Sequence, residues 1–218
     1  MNIKFKTMGL VTALLLTSGC VFENARAAAT RWWSIGFTEP AYMKVWVEEA
    51  SAEDVNGKFI PHIGEGSASG GQMGLDKEYA RGWLGEGFTK YPAVGAGLPK
   101  RIFVRWQSIA EPQTYRAWVD IPEEARQILK RASTELCPEQ PTNQDPQGGH
   151  LTLGLAPGGI VQVWVLDECA RPVKAARAVA EVEPLGPSQG QTNGIYAYKV
   201  SEEAQQYIQR YGIPYGSW

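Results

Sequence analysis

The chain has 218 residues, 21 basic against 23 acidic, for a net charge of −2. A charge this close to balance excludes the basic surface that a nucleic-acid binder needs. The length is enough for one sizeable core. Aromatics are the compositional anomaly, with 8 Trp and 9 Tyr.

Lys4 and Lys6 precede an apolar run from Met8 to Leu16, and small residues follow. That is the layout of a bacterial export signal, here residues 1–19. The run falls short of the roughly 20 apolar residues that span a bilayer, and no later segment approaches that length. Two cleavage sites compete. Thr17-Ser18-Gly19-Cys20 resembles a lipoprotein box, and that cut leaves Cys20 at the new N-terminus for a lipid. Ala25-Arg26-Ala27 or Ala27-Ala28-Ala29 offers a second cut, which releases a soluble periplasmic protein. The apolar run ends just before the cysteine, which favours the lipid; Thr17, where Leu is usual, weighs against it. On the lipid reading, residues 20–30 are a tether and 31–218 a single β-rich domain. Val21 stands after the cysteine, not Asp, so the expected location is the periplasmic face of the outer membrane. Removing residues 1–19 deletes Lys4 and Lys6 and no acid, which takes the net charge to −4.

The rest of the chain alternates with period two, the mark of half-buried strands. WWSIGF supplies a first strand. In AYMKVWVEEA, Met43, Val45 and Val47 oppose Lys44, Trp46 and Glu48. In RIFVRWQS, Ile102, Val104 and Trp106 oppose Arg101, Phe103 and Arg105. In QTYRAWVDI, Tyr115, Ala117 and Val119 oppose Arg116, Trp118 and Asp120. Leu151, Leu153 and Leu155 lead to Pro157-Gly158-Gly159, a hairpin turn, and a fuller apolar strand through Trp164. KAARAVAEVEP reads as strand through Val179 and Val182. Two segments read as helix. In Pro122 to Thr134, Pro opens the first turn, Glu123 and Glu124 follow, and Lys130 and Arg131 close it. In SEEAQQYIQRYG, Ser201 is the N-cap and Gly212 the stop. The expected fold is mainly β with two flanking helices, an antiparallel β-sandwich or strongly bent sheet.

Cys137 and Cys169 remain as a pair under either cut, in an oxidising compartment, so they are expected to form a disulfide. The two histidines, His62 and His150, have no ligand-like spacing to a cysteine, so no metal and no cofactor is expected. No G-x-S-x-G, P-loop or G-x-G-x-x-G occurs. Glu48-Glu49 and Glu123-Glu124 are adjacent acids, the second pair explained by its helix start. No enzymatic activity is expected.

Ten glycines lie between Gly64 and Gly97, interleaved with Trp83, Phe88 and Tyr91. That segment reads as a hairpin with glycines at its turns, or as a binding loop with aromatic anchors. The tail YGIPYGSW carries Tyr215 and Trp218, which either face a partner or dock back on the body. Trp83, Phe88, Tyr91, Tyr215 and Trp218 are therefore the candidate partner-binding residues. Trp46, Trp106, Trp118 and Trp164 lie within strands and read as core or sheet-face packing.

RWWSIGFTEPAYMKVWVEEA, WQSIAEPQTYRAWVDIPEEAR, HLTLGLAPGGIVQVWV, AEVEPLGP and YGIPYGSW, in that order, resemble a family of bacterial lipoproteins of unknown function, domain-of-unknown-function family 2931. The likeness covers nearly all of the chain after the signal. It implies a Gram-negative envelope protein, often lipid-anchored, with no established enzymatic activity. It also resembles type VI secretion immunity lipoproteins, which implies a protein that binds and neutralises a phospholipase effector in the periplasm. The alternative expectation is a structural or glycan-binding outer-membrane lipoprotein with no toxin partner.

Overall fold

The computed structural model describes residues 33–71, 74–83, 90–140, 145–146 and 148–218. The signal 1–19, the tether with Cys20, and Phe88 lie outside the described residues. Residues Arg31–Trp218 form one compact unit.

The alternating stretches become ten strands in two five-stranded sheets, with two helices. The first sheet runs β4-β1-β7-β8-β9. Its strands are β1 (Trp33–Thr38), β4 (Tyr91–Pro92), β7 (Gly149–Ala156), β8 (Ile160–Leu166) and β9 (Pro172–Val179). The second runs β10-β6-β5-β2-β3, from β2 (Val45–Asp54), β3 (Phe59–Ser67), β5 (Pro99–Ser108), β6 (Gln113–Asp120) and β10 (Glu181–Val182). The apolar phases of the longer strands β1, β2, β5, β6, β7 and β8 meet in one main core. Ile35, Phe37, Leu151, Leu153, Val163 and Val165 pack with Val45, Val47, Ile102, Val104 and Trp106, all 0% exposed. Each such Val, Leu or Ile stabilises the fold by about 1.5–3 kcal/mol. The architecture is a β-sandwich.

One pairing departs from the antiparallel expectation: β1 lies parallel to β7, Trp33 opposite Gly149 through Thr38 opposite Gly154. No hairpin constrains two strands so far apart in sequence, and such a pairing leaves no local signal. The glycine-rich segment is also not a hairpin among the described residues. Instead β3 pairs with β2, residues 68–69 follow β1 through Ser69 N–H to Phe37 O at 3.1 Å, and β4 closes the edge of β1. Glycine serves close approach here. A Cβ at Gly64 would lie 2.9 Å from the Phe37 ring, and one at Gly154 would lie 2.6 Å from both Trp83 and Trp164.

Helix α1 (Glu123–Ala132) has Pro122 at its N-cap and buries Ala125, Leu129 and Ala132 against β7 and β8. The Cys137–Cys169 disulfide ties the segment after α1 to the turn after β8. Closing that loop contributes about 3–4 kcal/mol in the chain-entropy account. Helix α2 (Glu202–Tyr211) starts where Ser201 Oγ accepts from Ala204 N–H at 3.2 Å, and it ends at Gly212, φ 74°. It supports a second apolar cluster of Tyr42, Met43, Ala80, Ala156, Tyr207 and Trp218, in which Tyr42 and Tyr207 stack at 4.3 Å.

Candidate functional site

The outer face of the second sheet carries the residues that are out of phase with the core. Cross-strand register sets them in rows. Phe103 lies between Ser51 and Trp118, Arg101 between Glu53 and Asp120, and Arg105 between Glu49 and Arg116. Trp118 is 42% exposed. Its ring tilts against Phe103 at 5.4 Å, and the Arg101 guanidinium lies 4.3 Å over it. Glu53 fixes that guanidinium, accepting from Arg101 Nη2 at 2.6 Å and Nε at 2.9 Å, with Lys100 Nζ at 3.0 Å. Those donors hold the Glu53 carboxyl below its ordinary range.

Arg105 and Arg116 face each other directly, a like-charge pair that is destabilising unless each has a counter-ion. A bulge in β2 supplies one. The register shifts between Val47 and Glu49, so two adjacent glutamates oppose one arginine. Glu48 accepts from Arg105 Nε and Glu49 from Nη2, both at 2.9 Å. Arg116 is held more loosely, by Glu183 at 3.4 Å and Glu181 at 3.8 Å.

Glu48 does more than neutralise Arg105. Its Oε1 also accepts from Gln107 Nε2 at 2.8 Å and from Ser188 N–H at 2.6 Å. Ser188 belongs to residues 184–199, a strap that leaves β10 and crosses the sheet face. Ala197 N–H donates to Gln107 Oε1 at 2.7 Å, and Tyr196 Oη to Pro112 O at 2.6 Å. Tyr198 meets Ser67 through its hydroxyl at 2.9 Å and Trp46 edge-on at 5.8 Å. Gln107, bound by the strap, is 1% exposed, whereas Trp118 is 42% exposed. Beside the strap lies a groove of about 620 Å³, lined by the aromatics Phe103 and Trp118, by Arg105 and Arg116 and by Glu181 and Glu183, with Val179 and Gln189 at its side.

A second cleft, of about 650 Å³, opens at the far end of the strap, where Tyr198, Lys199 and Val200 face Glu39, Lys44 and Gly70. Burial pushes the Glu39 carboxyl up to about 7, against the Lys44 charge and the Val45 N–H that Oε2 accepts at 2.6 Å. Elsewhere, Ser34 Oγ lies 2.8 Å from His150 Nδ1. Both residues are buried, and desolvation, helped by the Lys90 charge, takes the imidazole down to about 4. The pair is out of phase with the core residues Ile35 and Leu151 of the same strands. His62 is exposed in β3. Among the described residues no group of three His, Cys, Asp or Glu is arranged to hold a metal, and no helix is long and apolar enough to cross a membrane.

The model of a family described as proteins of unknown function (DUF2931) matches residues 23–216. The chain belongs to the DUF2931 family. No curated protein and no solved structure matches it.

In this DUF2931 chain the described aromatics among those chosen from sequence, Trp83, Tyr91, Tyr215 and Trp218, do not form one exposed patch. Trp83 is half-buried and sits edge-on to Trp164 at 5.2 Å over the window that Gly154 leaves. Tyr91 is half-buried in β4 against Phe37 at 5.8 Å. Trp218 is docked, not displayed: it is buried, and its indole N–H donates to Pro157 O at 3.0 Å. Tyr215 is exposed above Gly158, with its hydroxyl on Glu111 at 2.8 Å. Trp118 and Phe103 were the aromatics that strand position disguised. Their signal was phase, since both alternate with core residues and stand beside arginines.

Proposed function

We propose that this chain is an exported envelope protein that works by binding a partner protein. The resemblance of its sequence blocks to type VI immunity lipoproteins makes that partner a phospholipase effector, which the chain neutralises in the periplasm. The observation that carries the reading is the exposed Trp118 with Phe103 and Arg101, held in place by Glu53. Trp and Arg are the side chains that dominate binding energy at interfaces. Ordering them before contact lowers the entropy cost of association. A blocker needs only to cover an active-site mouth or lock a lid, and a rigid sandwich suits that task. A lipid on Cys20 and the tether of residues 20–30 would hold it beside the membrane that the phospholipase attacks.

The test mixes the purified mature chain with any phospholipase encoded beside its gene. A stable complex and loss of lipid hydrolysis are expected. Separate elution with undiminished hydrolysis removes the reading. Mass spectrometry of the mature N-terminus decides the anchor, with a diacylglyceryl mass on Cys20 expected.

A further inference from the structure

We infer that one corner of the sandwich rests against the lipid bilayer to which Cys20 is anchored. The corner is made by residues 54–59, which turn from β2 into β3, and by residues 93–98. The inference deepens the envelope-protein reading and rests on the lipid at Cys20.

Hydrogen bonds join the two segments. Val55 N–H donates to Leu98 O at 3.0 Å, Gly97 N–H to Asp54 Oδ2 at 3.2 Å, and Lys58 Nζ to Gly95 O at 3.0 Å. This ordered corner displays apolar side chains: Val94 is 78% exposed, Phe59 55% and Val55 48%. One such residue needs no explanation, but three gathered on bonded neighbouring segments mark a contact surface.

The occupant follows from where the chain enters the domain. Strand β1 starts at Trp33, whose indole N–H donates to Gly97 O at 2.8 Å and whose carbonyl accepts from Ala93 N–H at 2.8 Å. The entry point is thus bonded to the corner itself. Cys20 lies thirteen residues earlier, a reach of at most about 45 Å. A lipid there keeps the corner close to the bilayer, and weak apolar contacts then suffice because the local concentration of bilayer is high. Charge does not select the surface. Lys100 and Arg101 pair with Glu53, Lys58 acts on the Asp54 carboxylate, and Asp120 stands opposite Arg101. The attraction is therefore apolar and needs no anionic lipid. The turn between β8 and β9 is polar, with Arg171 on Asp167 at 2.8 Å, which confines the contact to the corner.

This orientation places the exposed indole. Asp120 ends β6 opposite Arg101, at the same end of the sheet where Asp54 meets Pro99. Trp118 stands two residues from that end, about 7 Å along the strand. A partner that works on the membrane would meet it at that height.

The mature chain, coupled through Cys20 to a maleimide lipid in phosphatidylcholine nanodiscs, tests the contact. Nitroxide-bearing lipid should broaden the NMR amide signals of residues 55–59 and 94–97 more than those of residues 198–201 at the opposite end of β2. The triple variant V55S/F59S/V94S should lower that contrast by about threefold or more. Phosphatidylglycerol or added salt should leave it unchanged. Uniform broadening overturns the inference, and so does stronger broadening elsewhere, an unchanged triple variant, or a requirement for phosphatidylglycerol. A dimer in solution that Val94→Ser abolishes would give the corner to a second copy and overturn it too, as would lipid-free loss of phospholipase binding in the triple variant. Thermal melts check folding, and if the triple variant fails to fold, Val94→Ser alone decides. The coupling does not depend on lipidation in the cell. If the native N-terminus carries no lipid while the coupled chain docks by this corner, only the anchor reading falls. If the lipid is present and broadening is uniform, only this inference falls.

Discussion

Two halves of one sheet face are treated in opposite ways. At one end of β5 and β6, Gln107 is buried and bound by the strap of residues 184–199. At the other end of the same strands, Trp118 is exposed with Phe103 half-buried beside it. Hydrophobicity alone would choose the reverse, since burying an indole is favourable and burying an amide costs unless it is hydrogen-bonded. The strap is therefore not placed by apolar burial. It follows hydrogen bonds to Glu48, Gln107, Pro112 and Ser67, and it leaves Trp118, which would gain most from cover, exposed.

The sharpest way to break this comparison is Glu48→Ala. Glu48 accepts from Arg105, Gln107 and Ser188 at once. Removing it leaves Arg105, 11% exposed, with Glu49 alone and releases the strap. Breaking a buried pair costs about 3–5 kcal/mol. In a domain of this size about 3 kcal/mol is a fall of roughly 10 °C in Tm, which thermal unfolding reads. Limited proteolysis should then cut within residues 184–199 before any other described segment. A loss under about 1 kcal/mol with an uncut strap would mean that other contacts hold the cover.

Glu39, at the strap's far end, sharpens the comparison from within the covered side. Glu48 has three donors, whereas Glu39 has the Val45 N–H and a Lys44 Nζ at 3.5 Å. Burial outweighs them, and the folded carboxyl sits at about 7 against 4.5 for the ordinary group. The folded state thus holds this proton more tightly than the unfolded chain. The stability it contributes is complete below pH 4.5 and is lost as pH rises through 7. The span corresponds to about 3 kcal/mol as an upper value. In urea unfolding at pH 5 and pH 8, Glu39→Gln should flatten the decline between the two by up to that amount. An unchanged decline would show that Glu39 is ionised without penalty.

The legible part of this fold was what repeats locally. Core phase on β2, β5, β6 and β7 followed from alternation. Both helix starts and the Gly212 stop followed from their end residues, and the disulfide followed from compartment and an even count. What stayed hidden is non-local. The parallel β1–β7 pairing joins strands more than a hundred residues apart. The bulge that turns Glu48-Glu49 into a two-to-one clasp on Arg105 looks, in sequence, like two adjacent acids. The strap carries three Gly, two Pro and two Gln and reads as loop, and only its partners reveal what it covers. The candidate site was half legible. Period two places Trp118 on the face opposite Tyr115 and Val119, but it does not say whether that face meets water, a strap or a second sheet. Aromatics outside strands therefore drew attention that belonged to Trp118 and Phe103.

The smallest effect is expected where the side chain is largest. Trp118→Ala removes an indole that is already 42% exposed, together with one stack under Arg101 and one tilted contact with Phe103. An exposed cation–π contact is worth about 0.5–1 kcal/mol, and an aromatic pair about as much. Arg101 keeps Glu53 as its partner in the variant, so no charge is left unpaired. The expected cost is about 1 kcal/mol, a Tm shift of roughly 2–4 °C, well below that of Glu48→Ala. A cost of 3 kcal/mol or more would make Trp118 a structural residue and dissolve the distinction between the two halves. A small cost keeps it, because a tryptophan that adds so little to the fold while standing among ordered arginines has its use outside the fold.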